Sequence, residues 1–525
     1  MLRPFRTLWR LLVIARTLAR HDALAPLEEL RVAPGVVWLA RLISRGRDAG
    51  RPGQKLARAL TELGPSFIKL GQFLSTRADL LGDDLAADLS ELQDRLPAFP
   101  SAAARATIEA ELGQGIEALF ESFDDEPVSA ASIAQVHFAV TRPSPSNPGD
   151  DTGDDPGARA VAVKILRPGV ERAFARDFEL FYGLAELAER TQPKLRRFKP
   201  VEVVRLFEAT VQIEMDLRME AAAASELADN FAEDSDYRVP PIDWQRSSRR
   251  VLTAGRMTGV PLDDRDALVA AGHDPTEILT KAADIFFKQV FRDGFFHGDQ
   301  HPGNMSVDDA GNIVAVDFGI MGRLDHHTRR YLADMLLATL DRDYRRLAEV
   351  HVEAGYLPPG EAIETFAQAL RSVCEPILGR PLNEISFARL LAQLLQVTES
   401  FNMPVQPQLL LLQKNMLMAE GVSRRLEPAL NIWTLAQPLI EDWMRENRGP
   451  EARIRDAAQE VAQALERLPA MLRNFDRAAA KLAENGLQLH PGTAEAQARA
   501  QGSTNWQLRA LWLVAAVLAL VLLLD

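Results

Sequence analysis

The sequence predicts an α+β fold in which a small sheet-containing lobe precedes a mostly helical one, with helical additions at both ends. Three observations predict it. Ala160-Val161-Ala162-Val163-Lys164-Ile165 is a short β-branched run carrying a lysine near its end, the pattern of a buried strand. His297-Gly298-Asp299-Gln300-His301-Pro302-Gly303-Asn304 is a polar loop, and the run Asn312-Ile313-Val314-Ala315-Val316 then reads as a strand delivering Asp317-Phe318-Gly319. Everything after Gly319 carries helical periodicity, over residues 325–349, 361–378, 385–401, 408–426 and 452–485.

The polar loop carries chemistry. Asp299 is followed five residues later by Asn304, and a second carboxylate, Asp317, precedes Phe-Gly. Phosphoryl transfer from a nucleotide needs this set: one Asp orients or deprotonates the nucleophile, while the Asn and the other Asp hold Mg²⁺ against the phosphates. Magnesium is a hard cation that takes such oxygen ligands and leaves its other positions to phosphate and water. Lys164 resembles the lysine that contacts the α- and β-phosphates, with Val163 in place of isoleucine in Val-Ala-Ile-Lys. A lysine in an apolar strand needs a partner to stay charged, and Glu220 is the candidate; the other reading is an edge-strand lysine facing solvent. The fold expected is therefore a protein-kinase-like two-lobed fold with an N-terminal helical extension, a helical C-lobe extension and a C-terminal membrane helix.

Composition bounds the rest. A chain of 525 residues, 47% hydrophobic, has room for one kinase-sized body with additions or for two or more domains. A net charge of −13 argues against nucleic acid as a partner. The single cysteine, Cys374, forms no intrachain disulfide or cysteine metal cluster, consistent with a reducing, cytosolic location. The domain reading is 1–110, an N-terminal amphipathic and helical extension; 111–258, an N-lobe with inserted helices; 259–430, a C-lobe; 431–505, a helical extension and linker; and 506–525, a transmembrane tail.

Taken in order, residues 1–20 hold five arginines, Arg3, Arg6, Arg10, Arg16 and Arg20, and no acidic residue. Arg10 and Arg16 interrupt the apolar core a secretory signal requires. A basic amphipathic helix on an anionic membrane fits, as does an ordinary helix docked on the body. In the helix opening at Gly64-Pro65, Lys69, Gln72 and Thr76 share one face; spacing alone favours a solvated polar stripe. Ser129-Ala130-Ala131-Ser132-Ile133-Ala134 occupies the place of a kinase's phosphate loop, with alanine and serine where glycine would let the backbone approach phosphate. Residues 141–158 read as a disordered hairpin extension, residues 251–257 as a strand and hinge, and residues 278–290 as an apolar helix leading into the polar loop. Residues 492–505 read as a linker. From Ala510 to Leu524 fifteen apolar residues run in succession. They span about 22 Å as a helix, short of the roughly 30 Å hydrocarbon core. Arg509 can snorkel and Trp506 and Trp512 can mark the boundary. A marginal tail anchor with the body on the cytoplasmic side is one reading, a buried apolar helix the other.

These motifs together resemble the UbiB family of atypical kinases, associated with ubiquinone biosynthesis, over most of residues 1–430. The family's Lys-x-Gly-Gln signature matches Lys69-Leu70-Gly71-Gln72, its alanine-rich loop Ala130-Ala131-Ser132, and its Glu-x-Asp pair Glu214 and Asp216. The resemblance implies that the Lys-x-Gly-Gln helix folds over the active site and that the Glu-x-Asp pair holds it there, which gives Lys69 and Gln72 a role spacing alone does not. It implies ATP or ADP with Mg²⁺ as cofactors, location at the inner (cytoplasmic) membrane, and ATP hydrolysis coupled to handling prenyl-lipid (prenyl-quinone) precursors, with membrane lipid and other ubiquinone biosynthesis proteins as partners. Two departures stand out. Gly255 occupies a hinge position where members often carry glutamate, and one short apolar tail stands where members often have two helices.

The residues independently disfavour a peptide acceptor. Gly298 replaces the arginine of His-Arg-Asp, and no Ala-Pro-Glu follows Asp317. The alternatives are a kinase acting on a small molecule or protein, and a nucleotide-binding scaffold for a biosynthetic complex.

Overall fold

The computed structural model describes residues 2–23, 50–75, 96–143, 158–191, 199–358, 362–376 and 407–428, together with positions 85, 88, 89, 92, 196, 360, 397, 400, 401, 403 and 438. All of them belong to one compact unit, Met1–Trp443.

The first helix, α1 (Leu2–Arg20), docks through Ala15, Leu18 and Ala19 on Ala59 of α2 (Pro52–Leu63). From Arg10 onward the N-terminal helix is thus packed on protein rather than lying free. Arg10 pairs with the buried Asp177 at 3.0 Å, donates to Leu63 O at 3.3 Å and lies 5.2 Å from the Phe67 ring centroid. Phe67 belongs to α3 (Pro65–Ser75), whose Gly71 permits close approach to α2. A Cβ there would lie 2.8 Å from Leu60 Cδ1 and 2.9 Å from Leu92 Cδ1.

The small lobe follows, with α4 (Ser101–Leu112), β1 (Phe120–Phe123), β2 (Ser129–Ala130), β3 (Ala134–Thr141), β4 (Ala160–Leu166), α5 (Val170–Thr191), α6 (Pro200–Glu214), α7 (Leu217–Asn230), β5 (Tyr237–Arg238) and β6 (Val251–Gly255). The antiparallel sheet runs β1-β3-β4-β6, with β2 added to β3. Strand β4 alternates as its sequence asks: Val161, Val163 and Ile165 enter the core beneath α4, and Lys164 takes the opposite face. Behind the sheet, Phe174, Phe178, Phe181 and Phe207 join α5 to α6 in a core that also takes in Phe67 and Ile68 of α3. The extra helices are therefore part of the lobe's interior.

The second lobe contains β7 (Val260–Pro261), α8 (Arg265–Ala270), α9 (Pro275–Phe287), β8 (Phe295–His297), β9 (Met305–Val307), β10 (Ile313–Ala315), β11 (Met321–Arg323), α10 (His326–Leu340), α11 (Tyr344–Glu353), α12 (Ile363–Cys374) and α13 (Pro407–Leu426). Its sheet runs β5-β10-β9-β7, and β11 pairs with β8. Strand β5, inside the 111–258 span, pairs with β10 of the following lobe, Tyr237 opposite Ile313. Val422 and Leu426 of α13 are buried in the same core as Phe318.

Several expectations need correction. The helix expected at 325–349 is two helices, because Arg342 adopts φ +59° and the Asp343 carboxylate caps the next one through Arg346 N at 2.9 Å. The chain after Gly319 is not purely helical; β11 forms against β8. The helix expected at 278–290 starts at Pro275 behind the Asp274 cap and continues as π-helix over Lys288–Asp293. Among the described residues no helix is long and apolar enough to cross a membrane. The transmembrane tail at 506–525, the linker at 492–505, the helix at 452–485 and most of the 141–158 and 385–401 segments lie outside the described residues.

The core reading has a direct test. Phe174 is 1% exposed, so Phe174→Ala should cost about 3–5 kcal/mol of unfolding free energy. Leu187 is 42% exposed, so Leu187→Ala should stay within about 0.5 kcal/mol. Chemical denaturation of both variants checks the contrast.

Candidate active site

Lys164 is the centre of the site. Its ammonium meets both oxygens of Glu220 at 2.8 and 2.9 Å, and Asp317 Oδ1 at 3.1 Å. The solvent-facing lysine reading is thereby ruled out. Glu220 lies on the first turn of α7, which Asp216 caps by accepting from Arg218 N. Burial opposes a charge on Lys164, but Asp317 and Glu220 outweigh it and hold the lysine above its ordinary pKa. The Lys164 ammonium beside Asp317, against the opposing effect of desolvation and with help from the charge of Lys69, holds that carboxyl down to about 2. Asp317 sits at φ +63°, a left-handed backbone uncommon for a non-glycine residue.

The polar loop is fixed through its backbone. His297, wholly buried, accepts from Asp299 N at Nδ1 (3.1 Å), so Nε2 carries the proton donated to Val316 O (3.4 Å). Burial pushes its pKa down and keeps it neutral. Asn304 Nδ2 donates to Asp299 O at 3.1 Å, and Val316 N donates to Asn304 O at 2.9 Å. Asn304 and Asp317 are thus brought together on adjoining loops. Gly298 has no space for a side chain: a Cβ would meet Ile320 Cγ2 at 2.8 Å and Ile320 O at 3.0 Å. An arginine in that position would not fit without moving the backbone.

The Lys-x-Gly-Gln helix is anchored here as well. Lys69 Nζ pairs with Glu214 Oε2 at 2.9 Å, both largely shielded. Gln72 follows one turn later on the same face, half-buried. Asp216 does not join this contact: its carboxylate binds the Arg218 side chain at 2.9 Å and caps α7. Of the Glu-x-Asp pair, Glu214 holds the helix and Asp216 starts the next one.

In the alanine-rich loop, Ser132, Ile133 and Ala134 are buried, while Ser129 to Ala131 remain accessible. Arg167 clamps the loop, donating to Ala131 O at 3.0 Å, Ser132 O at 3.3 Å and Pro97 O at 3.1 Å. The loop is therefore a fixed turn whose accessible part offers a phosphate its backbone and the Ser129 hydroxyl.

Asn304 and Asp317 fit a magnesium ion carried by a nucleotide. They supply one carboxamide and one carboxylate, and among the described residues no group of three or more His, Cys, Asp or Glu would cage a metal alone. Magnesium at nucleotide sites takes one or two protein ligands and completes its shell with phosphate and water.

Three site residues were missed from sequence. Lys414 Nζ lies 2.9 Å from Asp299 Oδ1. The neighbouring Asn415, wholly buried, donates to His297 O and accepts from Gln300 N at 3.4 Å. Gln289 Oε1 accepts from His297 N at 3.0 Å. The available signal was the polar triplet Gln413-Lys414-Asn415 interrupting the apolar run 409–418.

The chain is similar to several known proteins. A family profile described as the ABC1 atypical kinase-like domain matches residues 91–351, and one described as the UbiB helical domain matches residues 370–431. A Marinobacter nauticus protein named probable protein kinase UbiB is 42% identical over 478 residues, covering 88% of this chain and 84% of its own. A Xanthomonas axonopodis pv. citri protein of the same name is 43% identical over 427 residues, covering 80% of this chain and 75% of its own. A solved Mycobacterium tuberculosis protein in complex with erythromycin covers 73% of this chain and 93% of its own at 24% identity and TM-score 0.48.

The neutral histidines set a pH dependence. Burial lowers the pKa of His137, His297 and His351. In the unfolded chain the same imidazoles protonate near about 6.5. The unfolded state therefore binds more protons below that value, and unfolding free energy should fall as pH drops from about 7 to about 5. Denaturant titrations across that interval check this; a flat or rising stability contradicts it.

Proposed function

Because the chain belongs to the UbiB family of atypical kinases, we propose that it is a magnesium-dependent ATPase or phosphotransferase that supports ubiquinone biosynthesis at the cytoplasmic face of the inner membrane. The observation that carries this reading is the contact of one lysine, Lys164, with both Glu220 and Asp317. Those three groups must be in place together for a kinase-like centre to work. In the proposed mechanism Lys164 engages the nucleotide phosphates and Glu220 fixes its direction. Asn304 and Asp317 would hold Mg²⁺, which would supply charge neutralisation at the phosphoryl group. Asp299 accepts a hydrogen bond from water or an acceptor hydroxyl and so orients it.

The proposed acceptor is water or a small lipid-linked molecule rather than a peptide. Gly298, pressed on Ile320, excludes the arginine that would bind an activation-loop phosphate. Lys69 and Gln72 sit on a helix fastened by Glu214 beside the same carboxylates. Movement of that helix is the proposed link between nucleotide turnover and the handling of prenyl-quinone precursors. The relatives' printed name, probable protein kinase, keeps a protein acceptor as the competing outcome.

The test compares the unmodified full chain with Asp317→Asn. Magnesium-dependent affinity for ATP and ADP should drop at least tenfold or so, and hydrolysis about a hundredfold, in the variant. Anionic vesicles containing a phenolic prenyl-lipid mimic should raise hydrolysis by the unmodified chain, and cells lacking the protein should accumulate quinone precursors by mass spectrometry. Hydrolysis by Asp317→Asn at the unmodified rate would sink the proposal. Labelled phosphate appearing on a lysate component in trans would replace it with the kinase reading.

A further inference from the structure

We propose that Lys414 is a positioning residue of the phosphoryl-transfer centre, holding the Asp299 carboxylate for the nucleophile from a helix outside the kinase-like motifs. The inference rests on Asp299 having the orienting role given above. The backbone of Asp299 is already fixed: its N–H donates to His297 Nδ1 at 3.1 Å, and its carbonyl accepts from His301 N at 2.7 Å and Asn304 Nδ2 at 3.1 Å. None of these bonds restrains its side chain. Among the described residues the one group that does is Lys414 Nζ, 2.9 Å from Oδ1. Oδ2 meets no protein donor among the described residues and remains as the acceptor for a water or hydroxyl proton.

The placement of Lys414 is not left to its own flexibility. Asn415, next in sequence and wholly buried, bonds His297 O and Gln300 N on either side of Asp299. That double contact sets the rotation of α13, and the helix then presents Lys414 at the carboxylate. Lys414 is the only basic residue between Pro407 and Arg424. The ion pair is 32% and 30% exposed at its two side chains, and a pair that open does little for stability. Its position at the reacting end of the loop points to orientation and charge compensation. With Asp299 neutralised by the ammonium, the polyphosphate and the carboxylate repel each other less as they approach.

Steady-state ATP hydrolysis and fluorescent-ADP binding by the full chain, in magnesium, test this. Lys414→Met should lower kcat roughly tenfold to a hundredfold while KM and nucleotide affinity stay within about threefold. Lys414→Arg should recover about a third or more of the activity. The double variant Asp299→Asn with Lys414→Met should be no slower than Asp299→Asn alone within about twofold, since Lys414 acts through Asp299. A kcat for Lys414→Met within about twofold of the unmodified chain overturns the inference, and so do losses that simply add in the double variant. Should Lys414→Met not fold, Lys414→Gln takes its place in every comparison. If the unmodified chain binds no magnesium nucleotide, the proposed function falls and this inference with it; normal turnover with an indifferent Lys414 removes the inference alone.

Discussion

The three-way contact of Lys164, Glu220 and Asp317 is the constraint on which the rest of the structure depends. The charges of Lys164 and Glu220 are expensive to withdraw from water, and their partners offset that cost, while Asp317 stays partly open to solvent. Lys164 comes from the central strand of the small lobe, Glu220 from a helix inserted between its strands, and Asp317 from the far side of the cleft. One ammonium therefore joins three elements distant in sequence. Removing Lys164 would leave the buried Glu220 carboxylate without its ammonium, and removing Glu220 would leave Lys164 with the more exposed Asp317 alone, so sheet, helix and loop hold one another in register.

The loops beneath are organised on a different principle. Their backbone groups bond to one another and to buried neutral side chains, chiefly His297. The Asp299 carboxylate takes no part in this backbone network, whereas the Asn304 side chain joins it through Nδ2. A neutral histidine suits the role because it donates at one nitrogen and accepts at the other, and burial keeps it in that state. The left-handed backbone of Asp317 is held by the same bonds, since Val316 on its N-terminal side is bonded at both its N–H and its carbonyl. Strain of this kind costs about 1–3 kcal/mol and survives only where the surroundings impose it.

Contiguous motifs made much of this legible in the sequence. Asp299, Asn304 and Asp317 fall within one short stretch, and the strand periodicity around Lys164 assigns its face. Glu220 was legible because a buried lysine demands a carboxylate. The contacts of Lys414, Arg167 and Asn415 were not, because nothing local to a lysine in a leucine-rich helix says which loop it will meet 115 residues away. Capping chemistry caused the other misreadings. Asp343 ended a continuous periodic pattern by capping a new helix, and Asp216, read as half of a functional pair, caps a helix as well. Short side chains that bond their own backbone compete with regular periodicity. The count of apolar positions cannot register that competition.

The charges of the site finally explain why it should be controllable. Lys69 pairs with Glu214, Lys164 with Glu220 and Asp317, and Lys414 with Asp299. Each of these three ammonium groups is thus engaged by a carboxylate. To hold a polyphosphate, Lys164 must share itself with new oxygens, and Asp317 must turn from an ammonium to a divalent cation. Such an exchange replaces ion pairs with ion pairs, so its net free energy is a small difference between large terms. Small displacements of the Lys69 helix or of the Lys414 helix would then tip the balance. Both helices lie outside the core kinase motifs, and each reaches a carboxylate of the site by a single lysine, Lys69 at Glu214 and Lys414 at Asp299. Control by surroundings is the natural property of a centre that is neutralised from its edges.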